Sequence, residues 1–338
     1  MNTLSFAWIT LASLVPLLFL PSLPGPALLV LITIIAVVLL QTNHRTLWLI
    51  AWYGLIFCWG VTLARQQLQQ VEALTLRPVN ALVTVTATEN SRQRIRVSIL
   101  RTGEQIRFPV LSAWLSTGES VADFCAGQRW KMRIRLRAVH SQLNEGGYVQ
   151  QRRALANYTT LHGRILEKEP LQTECSLRQK IIQRVQGDTG LLESRGVLQA
   201  LIFGLRDSIS PAVSQLFRDT GVAHLMAISG MHIGLAGGMG WWLAANVQRW
   251  LPERYISRRI SELTSALTAA VYTWLSGMQP PALRAMLALT LWMFFSHHRL
   301  NMNSWQVWVC CAAGLLLVDP MLILSDSFWL SMLAVLML

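Results

Sequence analysis

Long apolar runs at both ends of the chain constrain its fold more than any other feature of the sequence. Of the 338 residues, 53% are hydrophobic and only 14% are charged, whereas soluble globular proteins carry about 25% charged residues. Several of the runs fall a little short of the roughly 20 residues that a full membrane span needs. They lie at 4–20, 27–40, 47–64, 222–247, 263–275, 282–296, 305–318 and 321–338. We therefore expect an α-helical polytopic membrane protein.

Most of the positive charge lies between the two apolar parts. Residues 65–186 hold 19 of the 29 Lys and Arg residues and 9 of the 17 Asp and Glu residues. This division predicts two to three spans in 1–64, a basic soluble domain in 65–186, amphipathic helices in 187–221 and about five spans in 222–338. Within the third part, Ser210 followed by Pro211 predicts a helix start.

Arginines in the short loops predict the orientation in the membrane. The loops 41–46, 248–260 and 297–304 contain arginine, and the loops that alternate with them contain none. Positive loops face the cytoplasm, while long domains translocate largely regardless of their charge. We expect the N-terminus in the cytoplasm of a bacterial cell and residues 65–186 on the outer side of the inner membrane.

The basic domain alternates with a period of two, which is typical of half-buried strands. From Trp130 to Arg137 every second residue is apolar, and the residues between are Lys or Arg. Similar patterns occur at 81–88, 92–99, 105–114 and 161–167. Five short strands with glycine turns between them favour a small β-barrel of the OB type.

The cations of these strands share one face, and three interpretations of that face stay open. The face could bind the phosphates of DNA, with Phe108, Trp114, Trp130, Tyr148 and Tyr158 as candidate stacking platforms, although Trp130 is the best candidate for plain core packing. It could contact anionic lipid headgroups, or simply solvate the barrel. The candidate DNA-binding residues are Arg92, Arg94, Arg96, Lys131, Arg133, Arg135 and Arg137.

Two cysteines of the basic domain, Cys125 and Cys175, can form a disulfide if the domain lies in an oxidising compartment and the two are close enough. The alternative is a pair of buried free thiols. The other three cysteines lie in apolar runs, where they suit packing.

Polar residues inside an apolar run are costly and mark functional candidates. His224, Ser229 and His232 are such residues, and Gly230, Gly234 and Gly238 form a ridge of small residues that lets another helix approach. Arg284 either reaches the interface or lines a passage. Alternatively, the glycines only pack and the histidines only bond locally.

These residues carry a resemblance to the ComEC family of competence proteins. The string Gly221-Val-Ala-His-Leu-Met-Ala-Ile-Ser-Gly-Met-His-Ile-Gly234 is similar to the family's Gly-x-x-His-Leu-Leu-Ala-Ile-Ser-Gly-Leu-His-Val-Gly signature. Residues 201–206, ending in Arg206, resemble its Leu-x-x-Gly-x-Arg element, and 281–285 resemble its Pro-x-x-Arg-Ala element. Residues 328–331 resemble Phe-x-Leu-Ser, and 144–148 resemble Asn-Pro-Gly-Gly-Phe with Glu145 in place of proline.

The resemblance implies a channel that carries single-stranded DNA across the inner membrane during natural transformation, working with other competence proteins. It favours the DNA interpretation of the cationic face and implies no cofactor. The metal-binding His-x-His-x-Asp-His cluster of the family's nuclease domain does not occur, so we expect no catalytic activity and a chain shorter than the complete channel. The alternatives are a membrane-anchored lipid-binding or structural protein and a small-solute transporter.

Overall fold

The computed structural model describes residues 3–20, 22–89, 92–118, 121–141, 149–206, 209–222, 226, 228–250, 252, 257–297 and 302–337. The chain forms two compact units. Unit 1 comprises Met1–Gln179 and Trp308–Leu338, and unit 2 comprises Lys180–Val307.

Unit 1 begins with three helices that coincide with the first three apolar runs. They are α1 (Thr3–Leu14), which continues as a 3-10 turn to Leu18, α2 (Pro26–Leu40) and α3 (Arg45–Thr75). Among the described residues, α3 alone is both long and apolar enough to cross a membrane, and four shorter helices are also apolar. Because α3 runs to Thr75, the helix continues past the expected boundary at residue 64.

The basic domain contains a sheet of five strands, as the alternation predicts. They are β1 (Val79–Glu89), β2 (Arg94–Thr102), β3 (Gln105–Ser116), β4 (Arg129–Ala138) and β5 (Leu161–Gln172). Each strand pairs with two others in the order β1-β2-β3-β5-β4, and the pairing of β4 with β1 closes the ring into a barrel. Of the strand pairs formed by the described residues, only β3–β5 is parallel. A short helix, α4 (Gln150–Ala156), precedes β5.

The apolar positions of the strands fill the barrel. Trp130, Met132, Ile134 and Leu136 of β4 are buried, and the residues between them are exposed. Leu74 from the end of α3 belongs to the same core cluster. The last turns of α3 therefore form part of the folded domain, which the apolar content of 47–64 alone did not indicate.

Unit 1 ends with a helical segment that contacts α4. This segment comprises α11 (Ser304–Val318), whose first four residues belong to unit 2, a 3-10 turn (Pro320–Leu324) and α12 (Asp326–Met337). The Arg152 side chain of α4 donates a hydrogen bond to the Leu324 carbonyl at 3.0 Å. Gln67 of α3 donates to the Leu155 carbonyl at 3.0 Å, so α4 is held from two sides.

The described residues of unit 2 contain the end of α5 (Leu177–Asp188), five further helices and the first residues of α11. These are α6 (Arg195–Phe203), α7 (Pro211–Asp219), α8 (Gly230–Gln248), α9 (Arg258–Leu275) and α10 (Pro280–His297). The side chain of Ser210 caps α7 by accepting a hydrogen bond from the Val213 amide at 3.3 Å, as the sequence predicts.

The close contact of α8 with α9 uses different glycines from those expected. A Cβ on Gly240 would lie 2.2 Å from Thr268 Oγ1, and one on Gly237 would lie 3.1 Å from Ser265 Oγ. Among the described residues, no heavy atom lies within 4 Å of a Cβ built on Gly234 or on Gly238. The prediction of a 230–234–238 ridge is therefore wrong for this helix pair. The face of α8 that packs against α9 is offset by about one residue from the face that carries those three glycines.

Candidate nucleic-acid interface

The four cations of β4 lie on the outer face of the barrel, but they fall into two electrostatically different halves. Lys131 and Arg133 have acidic partners on β5: the Lys131 Nζ lies 3.7 Å from Glu169, and the Arg133 guanidinium donates to Glu167 at 2.9 Å. This half of the row is largely neutralised by its own neighbours.

The other half of β4 faces more cations. In the strand register Arg135 is opposite Arg164, and Arg137 is opposite His162. Within the described residues, Arg135, Arg137 and Arg164 form no ion pair with a carboxylate. Exposed like charges on neighbouring strands repel one another, so this half of the face favours an external anion.

The cationic half extends across β5 to β3 and β2. Trp114 of β3 is opposite His162 on one side and opposite Arg96 on the other. The Arg94 guanidinium lies 4.3 Å from the centroid of the Trp114 ring, within the range of a cation–π interaction. We refer to Arg94, Trp114, Arg135, Arg137, His162 and Arg164 as the cationic face.

The pKa of His162 reflects its position on this face. Partial burial lowers the pKa below its usual value of 6.5, and the positive charge of Arg94 lowers it further. His162 is therefore mainly neutral at pH 7 and gains its charge only under acidic conditions.

The three arginines predicted on β2 differ in their roles. Arg92 lies before the strand begins, and its guanidinium is 3.5 Å from Glu89. The expectation that it extends the strand pattern is wrong. Arg94 also pairs with Glu89. Arg96 is partly buried, and its Nε is buried with no hydrogen-bond partner among the described residues, which makes it a poor phosphate ligand.

The candidate stacking residues are similarly divided. Trp130 packs in the core against Phe124, with ring centroids 5.0 Å apart, and Tyr158 bonds to Asp319. Trp114 lies on the cationic face, and Phe108 is exposed on β3. Tyr148 lies outside the described residues, as does the rest of 144–148.

The cationic half of β4 is the end close to α4. Ala138 pairs with Leu161, and the Val139 amide donates to the Thr160 carbonyl at 2.9 Å. Tyr158, just before this point, donates a hydrogen bond to Asp319 in the segment between α11 and α12. Arg135 and Arg137 thus lie at the end of β4 that is close to the helical part of unit 1.

A disulfide joins Cys125 to Cys175, with Cα atoms 5.6 Å apart. It connects the turn before β4 to the segment after β5. In the same place the Ser176 amide donates to the Ala126 carbonyl at 2.8 Å. Gly127 has φ +103°, and a Cβ there would lie 2.5 Å from the Ser176 amide nitrogen, so this crossing requires glycine.

In unit 2 the signature histidine and serine bond to each other. Ser229 precedes α8, and its amide donates to His232 Nδ1 at 3.3 Å, while its hydroxyl lies 3.0 Å from the same nitrogen. Together they cap the start of the helix, which matches the alternative of local bonding. His224 lies outside the described residues.

The motifs at 201–206, 221–234 and 281–285 meet near the starts of α8 and α10. Gln279 donates to the Gly204 carbonyl at 3.4 Å, and the Ala285 Cβ lies 3.5 Å from a Cβ built on Gly230. Arg284 is 5% exposed and therefore neither reaches solvent nor lies on the surface. Arg206 is exposed. Three separate sequence motifs thus converge on one packed junction.

The comparisons with known proteins agree with these motifs. Residues 201–338 match the family model described as Competence protein. The chain is 40% identical over 326 residues to Uncharacterized protein YcaI of Escherichia coli, covering 96% of this chain and 43% of that protein. It is 35% identical over 202 residues to Recombination protein 2 of Haemophilus influenzae, covering 60% and 26%.

A third relative is Competence protein ComA of Neisseria gonorrhoeae, 27% identical over 219 residues, which cover 62% of this chain and 32% of that one. This chain is a ComEC-like protein of the competence family. It spans less than half the length of each of these relatives. No solved structure matches it.

The family match covers a defined part of this ComEC-like chain. It begins near the end of α6 and includes the junction of Gly204, Gly230 and Gln279. The barrel and its cationic face precede the matched residues, but the similarity to YcaI, over 96% of the chain, includes them.

Proposed function

We propose that this ComEC-like chain is a multi-pass inner-membrane protein whose barrel, an OB-like domain on the outer side, receives single-stranded DNA for uptake. The helical region that follows would guide the strand across the membrane as part of a longer channel and together with other competence proteins. In this proposal the described residues bind and guide DNA and do not cleave it.

The unneutralised half of the β4 row is the observation that carries the proposal. Arg135, Arg137 and Arg164 lie side by side without carboxylate partners among the described residues. A polyanion supplies the missing negative charge, and each phosphate contact releases a counterion. Trp114 beside them offers a ring on which a base can stack.

A membrane location is supported by the surface of the helices. α2 exposes large apolar side chains on about half of its circumference, at Leu28, Val30, Leu31, Ile34, Ile35, Val37 and Val38. Such a surface is unfavourable in water and suits contact with lipid. The apolar stretch of α3 is long enough to span, and the Cys125–Cys175 disulfide fits an oxidising compartment outside the cytoplasm.

The test measures binding of a fluorescent oligo(dT) to the full chain in nanodiscs of neutral lipid over a series of salt concentrations. The variant Arg135→Ser/Arg137→Ser removes two free cations. The control Lys131→Ser/Arg133→Ser removes the same charge from the same strand face, at positions that already have acidic partners.

We expect the first variant to flatten the slope of log K against log salt by about 1.4, since each phosphate contact contributes about 0.7 on single strands. The control should change the slope much less. Equal effects of the two variants, or no binding at low salt, would refute the DNA role. Binding that requires anionic lipid in the nanodisc would favour a lipid-binding function instead.

A further inference from the structure

The first half of β3 carries an exposed apolar row that the DNA-binding role does not use. Ile106, Phe108 and Val110 are 77%, 67% and 41% exposed. They alternate with Arg107 and the buried Pro109, so they share the outer side of the strand. An apolar row on the outside of a barrel indicates an interaction surface.

Two hydrogen bonds to α3 place this row relative to the apolar stretch of that helix. The side chain of Arg65 donates to the Pro24 carbonyl in the loop between α1 and α2. The side chain of Gln70 donates to the Phe108 carbonyl. Arg65 and Gln70 are five positions apart, which corresponds to about 7.5 Å along a helix.

This distance matches the polar layer of a bilayer. The headgroup region adds roughly 5–8 Å on each side of the hydrocarbon. If the apolar stretch 47–64 of α3 spans the membrane, Phe108 lies at the level of the outer headgroups. The row is therefore within reach of the bilayer surface.

The charge beside the row favours an anionic surface. Arg101 is opposite Ile106 across the hairpin, and its guanidinium donates to the Glu104 carbonyl at 3.2 Å. Arg101 has no carboxylate partner in the part of the chain that the structure describes. Arg107 lies on the other face of β3, where it donates to Thr102 Oγ1 at 2.6 Å. An apolar row beside a cation is typical of segments that bind anionic membrane interfaces.

We propose that Ile106, Phe108 and Val110 insert into the outer headgroup layer, beside anionic phospholipid, and anchor the barrel against the bilayer. This inference rests on the proposed membrane span of α3. The anchor would hold the barrel, and with it the cationic face, at a fixed height and tilt relative to the bilayer.

The experiment places an environment-sensitive fluorophore at position 108. Phe108→Cys is labelled in the full chain with Cys58, Cys310 and Cys311 changed to Ala, and the chain is reconstituted in nanodiscs of neutral or of mixed anionic lipid. The matched control carries the label at Leu171→Cys. Leu171 is 57% exposed and lies near the opposite end of β5 from Leu161. Spin-labelled headgroups report proximity to the bilayer, and circular dichroism checks that both proteins are folded.

We expect blue-shifted emission and strong quenching at position 108 and weak quenching at position 171. Anionic lipid should increase the quenching at position 108 further, and Arg101→Gln should reduce this effect of anionic lipid. If positions 108 and 171 report the same aqueous environment while the chain resists carbonate extraction, the anchor is refuted and the membrane span stands. If carbonate releases the chain from the membrane, both the span and the anchor are refuted. If the label at position 108 is shielded from water but is not quenched by spin-labelled headgroups, it contacts a protein partner, and the proposal is overturned.

Discussion

The Tyr158 hydroxyl donates a hydrogen bond of 2.8 Å to Asp319 Oδ1 across 161 residues of chain. The same carboxyl oxygen accepts from the Met321 amide at 3.0 Å, where it caps the 3-10 turn after α11. Burial raises the pKa of Asp319, and the two hydrogen bonds oppose that effect. One partly buried carboxyl thus joins the barrel to the second helical segment of unit 1.

Loss of the Tyr158 hydroxyl should weaken this connection. We expect Tyr158→Phe to lower the free energy of unfolding by about 1 kcal/mol, because a partly buried acceptor loses a donor. Hydrogen exchange at residues 319–325 should increase, while exchange in β1 and β2 should stay constant. Gln67→Ala, which removes the neighbouring bond to the Leu155 carbonyl, should accelerate exchange in α4 without an equal effect at 319–325. Identical exchange patterns in the two variants would contradict a specific role for Tyr158.

The stability that the Tyr158–Asp319 contact provides should also depend on pH. Burial raises the pKa of Asp319 above its usual 3.8, so the folded chain keeps this proton at a pH where the unfolded chain has lost it. The free energy of unfolding therefore falls as the pH rises from 3.8 through the folded pKa. Asp319→Asn keeps an oxygen acceptor but does not titrate, and its thermal stability should vary less over this range. If the thermal stability of the wild type varies with pH in the same way as that of the variant, Asp319 is not the group that causes the pH dependence.

DNA binding should strengthen under acidic conditions. His162 is mainly neutral at pH 7 because partial burial and Arg94 lower its pKa. Bound phosphate favours the protonated form, so affinity for oligo(dT) should rise as the pH falls below 6.5, by at most about tenfold per pH unit for one proton. His162→Gln should remove this rise at constant ionic strength. His140→Gln, a change at another exposed histidine of the domain, should leave it intact. A rise that persists in the His162 variant would refute the assignment.

The sequence was informative wherever one strand or one helix end determines the structure. The alternation from Trp130 to Arg137 predicted which side chains of β4 are buried, because successive strand residues point to opposite faces. Ser210 before Pro211 predicted the start of α7 for a similarly local reason. The number of strands followed from repeated alternation between glycine turns.

Features that depend on neighbouring strands could not be predicted in this way. The division of the β4 row arises because β5 presents Glu167 and Glu169 at one end and Arg164 and His162 at the other, and this register is not visible in β4 itself. The prediction for Arg92 was wrong because the turn places it beside Glu89. The continuation of α3 into the barrel core through Leu74 depends on tertiary packing that hydropathy does not report.

The effect of a glycine-to-alanine substitution in α8 on stability should depend on the face of the helix that carries the glycine. A Cβ on Gly240 would come within 2.8 Å of the Thr264 carbonyl oxygen as well as close to the Thr268 side chain, and the backbone cannot yield as a flexible side chain does. We expect Gly240→Ala to lower the free energy of unfolding by about 1–3 kcal/mol through overpacking. The Cβ of Gly234→Ala meets no atom of the described residues within 4 Å. The substitution should therefore be neutral or raise stability by up to about 1 kcal/mol, since alanine favours helix more than glycine does. Thermal unfolding of both variants in the same detergent compares them directly. Equal destabilisation would mean that Gly234 also faces a packed neighbour and that the α8–α9 contact is not the one described.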